Sequence, residues 1–481
     1  MSRTSRVVSE EMMQRQRECC RSVKEIYESR LDRQPLAYTQ TFGCQQNEAD
    51  TELIRGMLAE MGFGFCTDID SADIVIINTC AIREHAEMRV YGNVGELSHA
   101  KKKNPRLITV LCGCMAQQEH VAEKIKNSYP YVDMVFGTHA LQRFPELLLH
   151  CVRDKKRVFD LEGDDKGAII EGVEPVRKQG HRAWLSIMYG CNNFCSYCVV
   201  PYVRGRERSR TPEAVIAEFK SLVAQGYKDI TLLGQNVNSY GSDLEGACDF
   251  PTLLEKISEI PGEFWVRFMT SHPKDATPRL FDVMAKSDKI CSSIHLPVQA
   301  GSDRVLKDMN RRYTAEKYFS LVEYARKVMP DITMTSDIIV GFPGETNEEF
   351  QETIDLLEKV RFDSLFTFIF SPRKGTKAYD MPDVLTKEEK QKNFERLLDV
   401  QNRISKEKND EYVGRRVRVL VGEEENEKNY NNEYTKQSRT EGFKLVYLRG
   451  AEGLEGQFVD AVIERSSTWA LFGSVAGEEI K

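Results

Sequence analysis

The sequence predicts an α/β protein in three parts: an amino-terminal parallel α/β domain, a partial (β/α)6 barrel and a small carboxyl-terminal β-barrel. Two series of short β-rich runs alternate with helix-like stretches, one from about residue 36 and one from about residue 183. After about residue 410, short β runs with Gly turns follow one another without helical spacing. Alternating strands and helices are typical of parallel sheets covered by helices, and consecutive short strands are typical of small barrels.

The composition limits the class of protein. The chain has 481 residues, of which 41% are hydrophobic and 29% charged, and a net charge of −7, so any nucleic-acid surface must be local. Neither a signal peptide nor a stretch long enough to span a bilayer is evident, so we expect a cytoplasmic protein without a membrane partner. Thirteen cysteines in such a chain favour metal ligation by reduced thiols over disulfides.

The amino-terminal part begins with a polar extension. We expect residues 1–34 to include a helix over 10–31, and we assign this extension no function. Residues 35–152 are predicted to form the first α/β domain. Its predicted parallel strands are 36–41, 73–78, 107–112 and 132–136.

Three cysteines of this domain follow its first three strands at equivalent positions: Cys44, Cys80 and Cys114. Because the carboxyl ends of parallel strands share one edge of a sheet, these cysteines are expected to converge. A single cysteine at such a place is more often a buried apolar residue, but three favour one shared iron–sulfur site. Cys112 is an alternative to Cys114, although strand alternation points Cys112 into the sheet.

A charged, Gly-containing interval at 153–176 is predicted to be a linker to a second α/β domain at 177–410. Helix-like stretches, such as 212–225 and 345–360, separate six predicted strands in this domain. Six βα units indicate a partial barrel with its chemistry at the carboxyl ends of the strands. The predicted strands are 183–188, 229–233, 264–269, 292–296, 333–339 and 364–370.

The loop after the first of these strands contains Cys191, Cys195 and Cys198 at C-x3-C-x2-C spacing. Three thiolates at this spacing can hold a 4Fe–4S cluster and leave its fourth iron open for another ligand. The alternative is a zinc knuckle, but zinc requires a fourth protein ligand and no His follows at close spacing. The sequence therefore favours the cluster.

Residues 411–476 are predicted to form a small antiparallel barrel. Its expected strands are 413–421, 440–448, 455–463 and 470–472.

The pattern as a whole resembles the methylthiotransferases of the radical SAM superfamily, over residues 36 to 475. These enzymes have an amino-terminal domain with three cysteines, a radical S-adenosylmethionine (SAM) domain and a TRAM domain. Besides the three-cysteine loop, the motifs that carry the resemblance are TFGCQQN at 41–47, NTC at 78–80, GCMAQ at 113–117, VPYVRGRE at 200–207, LGQNVNSY at 233–240 and GFPGET at 341–346.

The resemblance implies two 4Fe–4S clusters and SAM as cofactors. One SAM molecule methylates a sulfur on the auxiliary cluster of Cys44, Cys80 and Cys114, and a second is cleaved to a radical at the other cluster. By position, five residues are implied around the SAM site. The five are Tyr197, Gln235, Asn236, Gln299 and Asp337. Residues 341–345 resemble the segment that packs near the adenine of SAM. A turn or a helix cap explains the residues of this segment equally well.

Two segments, CAIRE at 80–84 and GQNVN at 234–238, are similar to the MiaB branch of this family. That branch methylthiolates carbon 2 of N(6)-isopentenyladenosine next to the anticodon in tRNA. Alternatives are relatives that act on threonylcarbamoyl-adenosine tRNA or on a ribosomal protein aspartate. The implied partners are a tRNA anticodon stem-loop and an electron donor protein, and the chain is expected to be a monomer.

Two basic segments are candidates for RNA contact. Four arginines alternate beside the predicted active-site edge, and a tyrosine with three further arginines lies at the start of the TRAM-like domain. The first set is Arg204, Arg206, Arg208 and Arg210, and the second is Tyr412, Arg415, Arg416 and Arg418.

Overall fold

The computed structural model describes residues 7–81, 84–161, 167–177, 180–246, 248–425 and 433–477. Ile82 and Arg83 of the CAIRE segment lie outside these residues. The three predicted parts are present, with a parallel α/β domain, an open βα barrel and a closed five-stranded barrel. Among the helices of the described residues, none has the length and apolar character needed to cross a bilayer.

The first domain is a six-stranded parallel sheet in the order β2-β1-β3-β4-β5-β6, with helices on both faces. Its elements are α1 (Glu10–Arg30), β1 (Leu36–Phe42), α2 (Gln45–Glu60), β2 (Gly64–Phe65), β3 (Ile74–Thr79), α3 (Glu84–Lys103), β4 (Ile108–Gly113), α4 (Glu119–Ser128), β5 (Met134–Phe136), α5 (Phe144–Asp154) and β6 (Val158–Asp160).

The central strands of this sheet are apolar because both of their faces are covered. Alternate residues of β3 belong to two separate hydrophobic clusters, Ile74 and Ile76 to one and Val75 and Ile77 to the other. Every residue of β3 is buried. The sheet therefore lies between two layers of helices, and its strand ends are the edges open to chemistry.

Two features of this domain differ from the prediction. The interval predicted to be a linker contains β6, which pairs in parallel with β5, and three residues of moderate burial gave too short a signal in sequence. The polar extension contains the predicted helix, and this helix belongs to the domain. Its residues Cys20, Val23 and Tyr27 are buried in the same cluster as Ile74, and Arg15 pairs with Glu146 of α5 at 2.5 Å.

The second domain has six parallel strands in two three-stranded ladders, β11-β10-β7 and β12-β13-β14, joined by a bridge between Val266 and Ile290. Its elements are β7 (Arg182–Ser186), β8 (Met188–Tyr189), α6 (Val200–Val203), β9 (Arg208–Ser209), α7 (Pro212–Ala224), β10 (Asp229–Leu233), α8 (Phe250–Ser258), β11 (Trp265–Phe268), α9 (Pro278–Lys286), β12 (Ser293–His295), α10 (Asp303–Asp308), α11 (Ala315–Val328), β13 (Thr333–Val340), α12 (Asn347–Val360), β14 (Ser364–Ile369) and α13 (Lys387–Asp410).

The carboxyl-terminal barrel is closed by five strands in the order β15-β16-β17-β19-β18. The predicted strand at 440–448 covers the end of β16, the turn at 441–444 and most of β17. The prediction missed β16 as a separate strand because β16 is polar and gave no apolar signal. The strands are β15 (Arg416–Glu425), β16 (Lys436–Thr440), β17 (Leu445–Arg449), β18 (Phe458–Ser466) and β19 (Leu471–Val475).

This small barrel packs against the amino-terminal ends of the βα-barrel strands. Arg267 of β11 donates to the Thr440 carbonyl at 2.9 Å and, through Nε, to Asp229 at the start of β10 at 2.9 Å. Lys444 pairs with Asp363, just before β14, at 3.0 Å. The opposite, carboxyl-terminal ends of the strands are left for the site.

Candidate active site

The loop with Cys191, Cys195 and Cys198 lies between β8 and α6 and is held by the segment after α10. The Asn310 amide donates to the carbonyls of Asn193 and Phe194 at 3.1 and 2.9 Å. Phe194 itself adopts a left-handed conformation with φ 47°. These contacts fix the backbone on which the three sulfurs are carried.

A glycine is required just before this loop. Gly190 has φ 75°, and a Cβ there would lie 2.1 Å from the carbonyl oxygen of Arg206. Only a residue without a side chain permits this close approach of two backbone segments.

The surroundings of these thiols suit ligation by an inorganic cluster. Burial raises the pKa of Cys191 to about 12 and raises that of Cys198 further. Arg311 places Nη1 3.5 Å from the Cys195 sulfur and donates through Nη2 to the Pro297 carbonyl at 2.5 Å. The raised pKa values mean that buried thiolates are costly in the absence of a metal. A metal that displaces the thiol protons stabilises the thiolates, and the Arg311 guanidinium offsets their negative charge.

The amino-terminal cysteines meet at one edge of the first sheet. Cys44 caps α2, Cys80 follows β3 and Cys114 follows β4. Asn47, on the first turn of α2, accepts from the Cys44 thiol at 3.2 Å and donates towards the Cys114 sulfur at 4.0 Å. Cys112 instead lies in the apolar cluster beneath the sheet. The structure thus brings Cys44, Cys80 and Cys114 together.

Cys114 also follows a glycine in a left-handed conformation. Gly113 has φ 96°, and a Cβ there would lie 2.2 Å from Asn78 Oδ1 and 2.5 Å from the Thr79 carbonyl oxygen. The turn that directs Cys114 to the edge therefore requires Gly113.

The thiols of this set differ in acidity. A hydrogen bond from Cys80 lowers the pKa of Cys44 to about 6, and the charge of Arg204 acts in the same direction. Burial raises the pKa of Cys114 to about 11 against the opposing effect of Arg204. One cation of the second domain therefore acts on two cysteines of the first.

The two cysteine sets are neighbours. Cys114 packs in one small apolar cluster with Ala81, Val199 and Val203. Val199 directly follows Cys198, and Val203 ends α6. The short helix after the barrel cysteines is therefore in contact with the edge that carries the amino-terminal cysteines.

The arrangement of donors fits clusters better than a single zinc ion. Across the part of the chain that the structure describes, no three His, Cys, Asp or Glu side chains converge to hold one metal ion. In a 4Fe–4S cube each thiolate binds a different iron, so its cysteines stand farther apart than ligands of one ion. Two sets of three thiols, each beside a buried guanidinium, match that donor set.

The residues implied for SAM lie at the carboxyl ends of the barrel strands. Gln299 adopts φ 77° and bridges to β13, where Asp337 lies. Tyr197 packs its ring against Phe342 at 6.5 Å. The Asn236 amide is used within the protein, since it donates to Asp275 at 2.7 Å and accepts from the His272 backbone N–H at 3.1 Å.

Several polar atoms near these strand ends are buried without a protein partner. Among the described residues, the unpartnered atoms in this region are Gln235 Oε1, both amide atoms of Asn238, Ser271 Oγ and His272 Nε2. Burial, with Arg311 nearby, lowers the pKa of His272 to about 2, so its ring is neutral. Buried polar atoms of this kind require a bound partner, which a polar cofactor supplies.

The interior face of the open barrel is partly aromatic. Met334, Ile338 and Val340 of β13 join the apolar core under the helices, so Asp337 between them faces the interior. The register pairs Asp337 with Phe366 of β14, whose side chain is 46% exposed.

Next to Asp337 on this face lies His295. Its ring places Nε2 3.5 Å from Asp337 and packs edge-on against Phe366 at 5.5 Å.

The arginine run after the cluster loop divides into two kinds of residue. Arg204 and Arg210 are buried: Arg204 pairs with Asp50 at 2.7 Å, and Arg210 pairs with Glu171 and Glu218 at 2.6 and 2.7 Å. The expected phosphate contact is therefore wrong for these two.

Arg206 is exposed and lies over the Phe194 ring at 4.3 Å. Phe194 also meets the exposed ring of Tyr202 at 5.9 Å. This basic and aromatic surface lies beside the cluster loop.

The three arginines suggested for RNA contact at the start of the small barrel are engaged in ion pairs. Arg415 pairs with Asp331 at 3.4 Å, Arg416 pairs with Asp460 at 2.8 Å, and Arg418 pairs with Glu263.

Sequence reasoning missed Arg311, His295 and the role of Arg204. Each is far in sequence from the groups that it contacts, so spacing gave no signal. The interior position of His295 could have been read from its place at the end of a predicted strand.

Comparison with known proteins matches the two α/β domains. The radical SAM superfamily model matches residues 185–357, and the model described as uncharacterized protein family UPF0004 matches residues 37–137. The radical SAM methyltransferase TsrM from Kitasatospora setae, solved with tryptophan and a SAM analogue, has a TM-score of 0.54 at 15% identity over 72% of this chain and 75% of its own, and so shares the fold. The class is a radical SAM enzyme with an added cysteine-bearing α/β domain.

Closer relatives define the family. The tRNA-2-methylthio-N(6)-dimethylallyladenosine synthase of Acetivibrio thermocellus is 48% identical over 471 residues, which is 97% of each chain. The enzyme of the same name from Clostridioides difficile is 48% identical over 450 residues, which is 93% of each chain. The chain belongs to the family of tRNA-2-methylthio-N(6)-dimethylallyladenosine synthases.

Proposed function

We propose that this chain methylthiolates carbon 2 of N(6)-isopentenyladenosine next to the anticodon in tRNA, using two SAM and a sulfur held on an auxiliary 4Fe–4S cluster. The observation that carries the proposal is the contact, through α6, of two cysteine sets that each supply three thiols. Three thiolates leave one iron of each cube open. Neither the threonylcarbamoyl-adenosine nor the aspartate alternative is favoured, because the near full-length relatives are named for the dimethylallyl substrate.

Each cofactor has its proposed holders. Cys191, Cys195 and Cys198 hold the cluster that binds SAM, and Cys44, Cys80 and Cys114 hold the auxiliary cluster. When bound, these groups supply one-electron cleavage of SAM and a transferable methylated sulfur.

The polar groups at the strand ends orient the SAM molecule. Gln235 Oε1 and the Asn238 amide are buried without protein partners and are proposed to hydrogen-bond it. Asp337 faces the barrel interior beside His295 and is proposed to accept from ribose hydroxyls. Gln299 holds the adjoining loop through its backbone.

The exposed aromatic residues of β14 are proposed to receive the substrate base. Phe366 and Phe368 are 46% and 37% exposed and alternate along the strand, so both face the interior. An adenine with a hydrocarbon side chain gains from contact with such rings.

The RNA and the remaining partners are assigned as follows. The anticodon stem-loop is proposed to contact Tyr202 and Arg206 beside the cluster loop, since stacking on aromatic and guanidinium groups is typical of unpaired bases. The target base must leave its stack to reach the barrel interior. An electron donor protein reduces the cluster, and the chain acts in the cytoplasm as a monomer.

The chain is proposed to divide into three functional domains. Residues 1–34 and 35–160 together form the first domain, which includes β6. Residues 177–410 form the radical SAM domain and residues 411–476 the TRAM domain.

The test supplies anticodon stem-loops with and without the isopentenyl group to the reconstituted enzyme. About eight irons per chain are expected. Mass spectrometry of the nucleosides should show the methylthio product only with the isopentenylated RNA. Equal conversion of both RNAs would contradict the proposed specificity.

A further inference from the structure

Arg204 belongs to the radical SAM barrel but contacts the cysteine site of the other domain. It follows α6, six residues after Cys198, and its side chain is 6% exposed. Its Nε donates to the Cys114 sulfur at 3.1 Å, and its Nη2 donates to Asp50 Oδ2 at 2.7 Å.

The partner of this arginine is itself part of the cysteine site. Asp50 lies on α2, the helix that Cys44 caps, and accepts from the Gln46 amide at 3.3 Å. The same Gln46 amide donates to Ser186 of β7 at 2.8 Å. The contacts of Arg204 therefore run along the surface where the first domain meets the barrel.

The charge of this arginine suits a site that becomes negative. A guanidinium taken out of water is stable only when it is paired and hydrogen-bonded, and Asp50 and Cys114 meet that requirement. Three thiolates bring negative charge to the edge where Cys80 and Cys114 are 3% exposed. Hydrogen bonds to cluster sulfurs and nearby charge are known determinants of cluster reduction potential.

The set of Cys191, Cys195 and Cys198 also has an arginine beside it, but this arginine comes from the same domain as the cysteines. Arg311 contacts Cys195, and both belong to the barrel. Arg204 crosses between domains, so docking of the first domain brings it to Cys114.

We propose that Arg204 is a positioning residue that completes the auxiliary cluster site across the domain boundary, donating to the Cys114 sulfur and raising the reduction potential of that cluster. The inference rests on the proposed auxiliary cluster. It assigns to a barrel residue a role in the site of the amino-terminal domain. Sulfur delivery then depends on correct docking of the two domains.

The test uses the full chain with Cys191, Cys195 and Cys198 replaced by Ala, so that one cluster remains. Its potential is measured by redox titration with electron paramagnetic resonance, and bound iron is counted. Arg204→Gln should shift the reduction equilibrium about tenfold against reduction, which is about 59 mV more negative for a one-electron couple. Arg204→Lys, which keeps the charge, should give a smaller shift.

Arg206→Gln is the matched control, because Arg206 lies in the same loop but is exposed over Phe194. It should leave the potential of the auxiliary cluster unchanged. A potential unchanged in Arg204→Gln, with iron retained, would overturn the inference. Absence of any cluster in the parent triple variant would instead show that the proposed auxiliary site is wrong.

A second variant separates a change in the cluster site from a loss of folding. It is needed because Arg204→Gln leaves Asp50 buried without its cation. In Arg204→Gln with Asp50→Asn, both charges are removed together. The same negative shift, or loss of iron with the circular dichroism melting curve preserved, supports the inference. A parental potential in this variant contradicts it.

Discussion

A glycine stands before a cysteine in each set for a steric reason. Gly190 and Gly113 have φ of 75° and 96°, and in both a Cβ would lie within 2.2 Å of a neighbouring oxygen. Each glycine allows one loop to pass against another, and so places the next sulfur. The geometry of each cluster site therefore depends on glycines that let two backbone segments come close together, as much as on the cysteines themselves.

Gly190→Ala should prevent loading of the barrel cluster. The clash with the Arg206 carbonyl cannot be relieved without moving the loop. Iron per chain should fall by about half, to the content of one cube. Gly226→Ala is the control, because Gly226 has φ 91° with nothing within 4 Å, so it should lose about 1–2 kcal/mol of stability and keep its iron. Full iron content in Gly190→Ala would contradict this explanation.

Glu345 stabilises a turn in residues 341–345, the segment that resembles the loop near the adenine of SAM. Its carboxylate is buried and accepts from the Gly341 N–H at 2.6 Å. Burial raises its pKa from 4.5 to about 7. The side chain therefore shapes the loop.

The pH dependence of stability follows from this pKa. The folded state binds the Glu345 proton more tightly than the unfolded state. The protonated side chain therefore stabilises the fold below pH 4.5, and this stabilisation is lost as the pH rises through about 7. Glu345→Gln should therefore gain stability relative to the parent between about pH 5 and about pH 8, by at most about 3 kcal/mol. Denaturant unfolding of the cluster-free proteins measures this difference. A difference that does not change with pH would refute the assignment.

The elements that could be predicted from sequence are those with a strong local signal. Strand ends placed Cys44, Cys80 and Cys114 on one edge, and the loop after β8 carries the second set. Short or polar strands such as β6 and β16 gave no such signal. Arg204 was predicted to contact RNA, because it belongs to a run of alternating arginines beside the predicted active-site edge. Its burial depends on Asp50, which is distant in sequence, and no local pattern reports such a contact.

In the part of the chain that the structure describes, β14 is the edge strand of its ladder, which leaves its aromatic residues partly exposed. In the register, Phe366 pairs with Asp337 and Phe368 with Ile339, so polar and aromatic groups share the interior face. This face is where the proposed SAM and the substrate base meet.

Replacing Phe366 and Phe368 by Ala should weaken recognition of the hydrocarbon side chain. Loss of two aromatic contacts is worth about 1–3 kcal/mol, or about 5- to 150-fold in kcat/KM for the isopentenylated stem-loop. SAM cleavage without RNA should be unchanged. The unmodified stem-loop serves as the matched substrate control, and an equal loss of its binding affinity would argue against a specific contact with the isopentenyl group.

At the scale of the whole molecule, the two ends of the βα barrel have different tasks. The first domain lies against the carboxyl-terminal ends of the strands through α6 and Arg204. The small barrel packs on the amino-terminal ends, where Trp265 and Phe458 meet at 4.7 Å. The cysteine sets are therefore next to each other and remote from the carboxyl-terminal barrel.

The two neighbouring cysteine sets have separate proposed tasks, and Cys80→Ala separates them. The variant and Cys191→Ala are incubated with SAM, reductant and isopentenylated stem-loop, and both deoxyadenosine and modified nucleosides are measured by mass spectrometry. Cys80→Ala should still cleave SAM but form no methylthio product, whereas Cys191→Ala should cleave none. Full methylthio product from Cys80→Ala would show that the amino-terminal set does not hold the transferred sulfur.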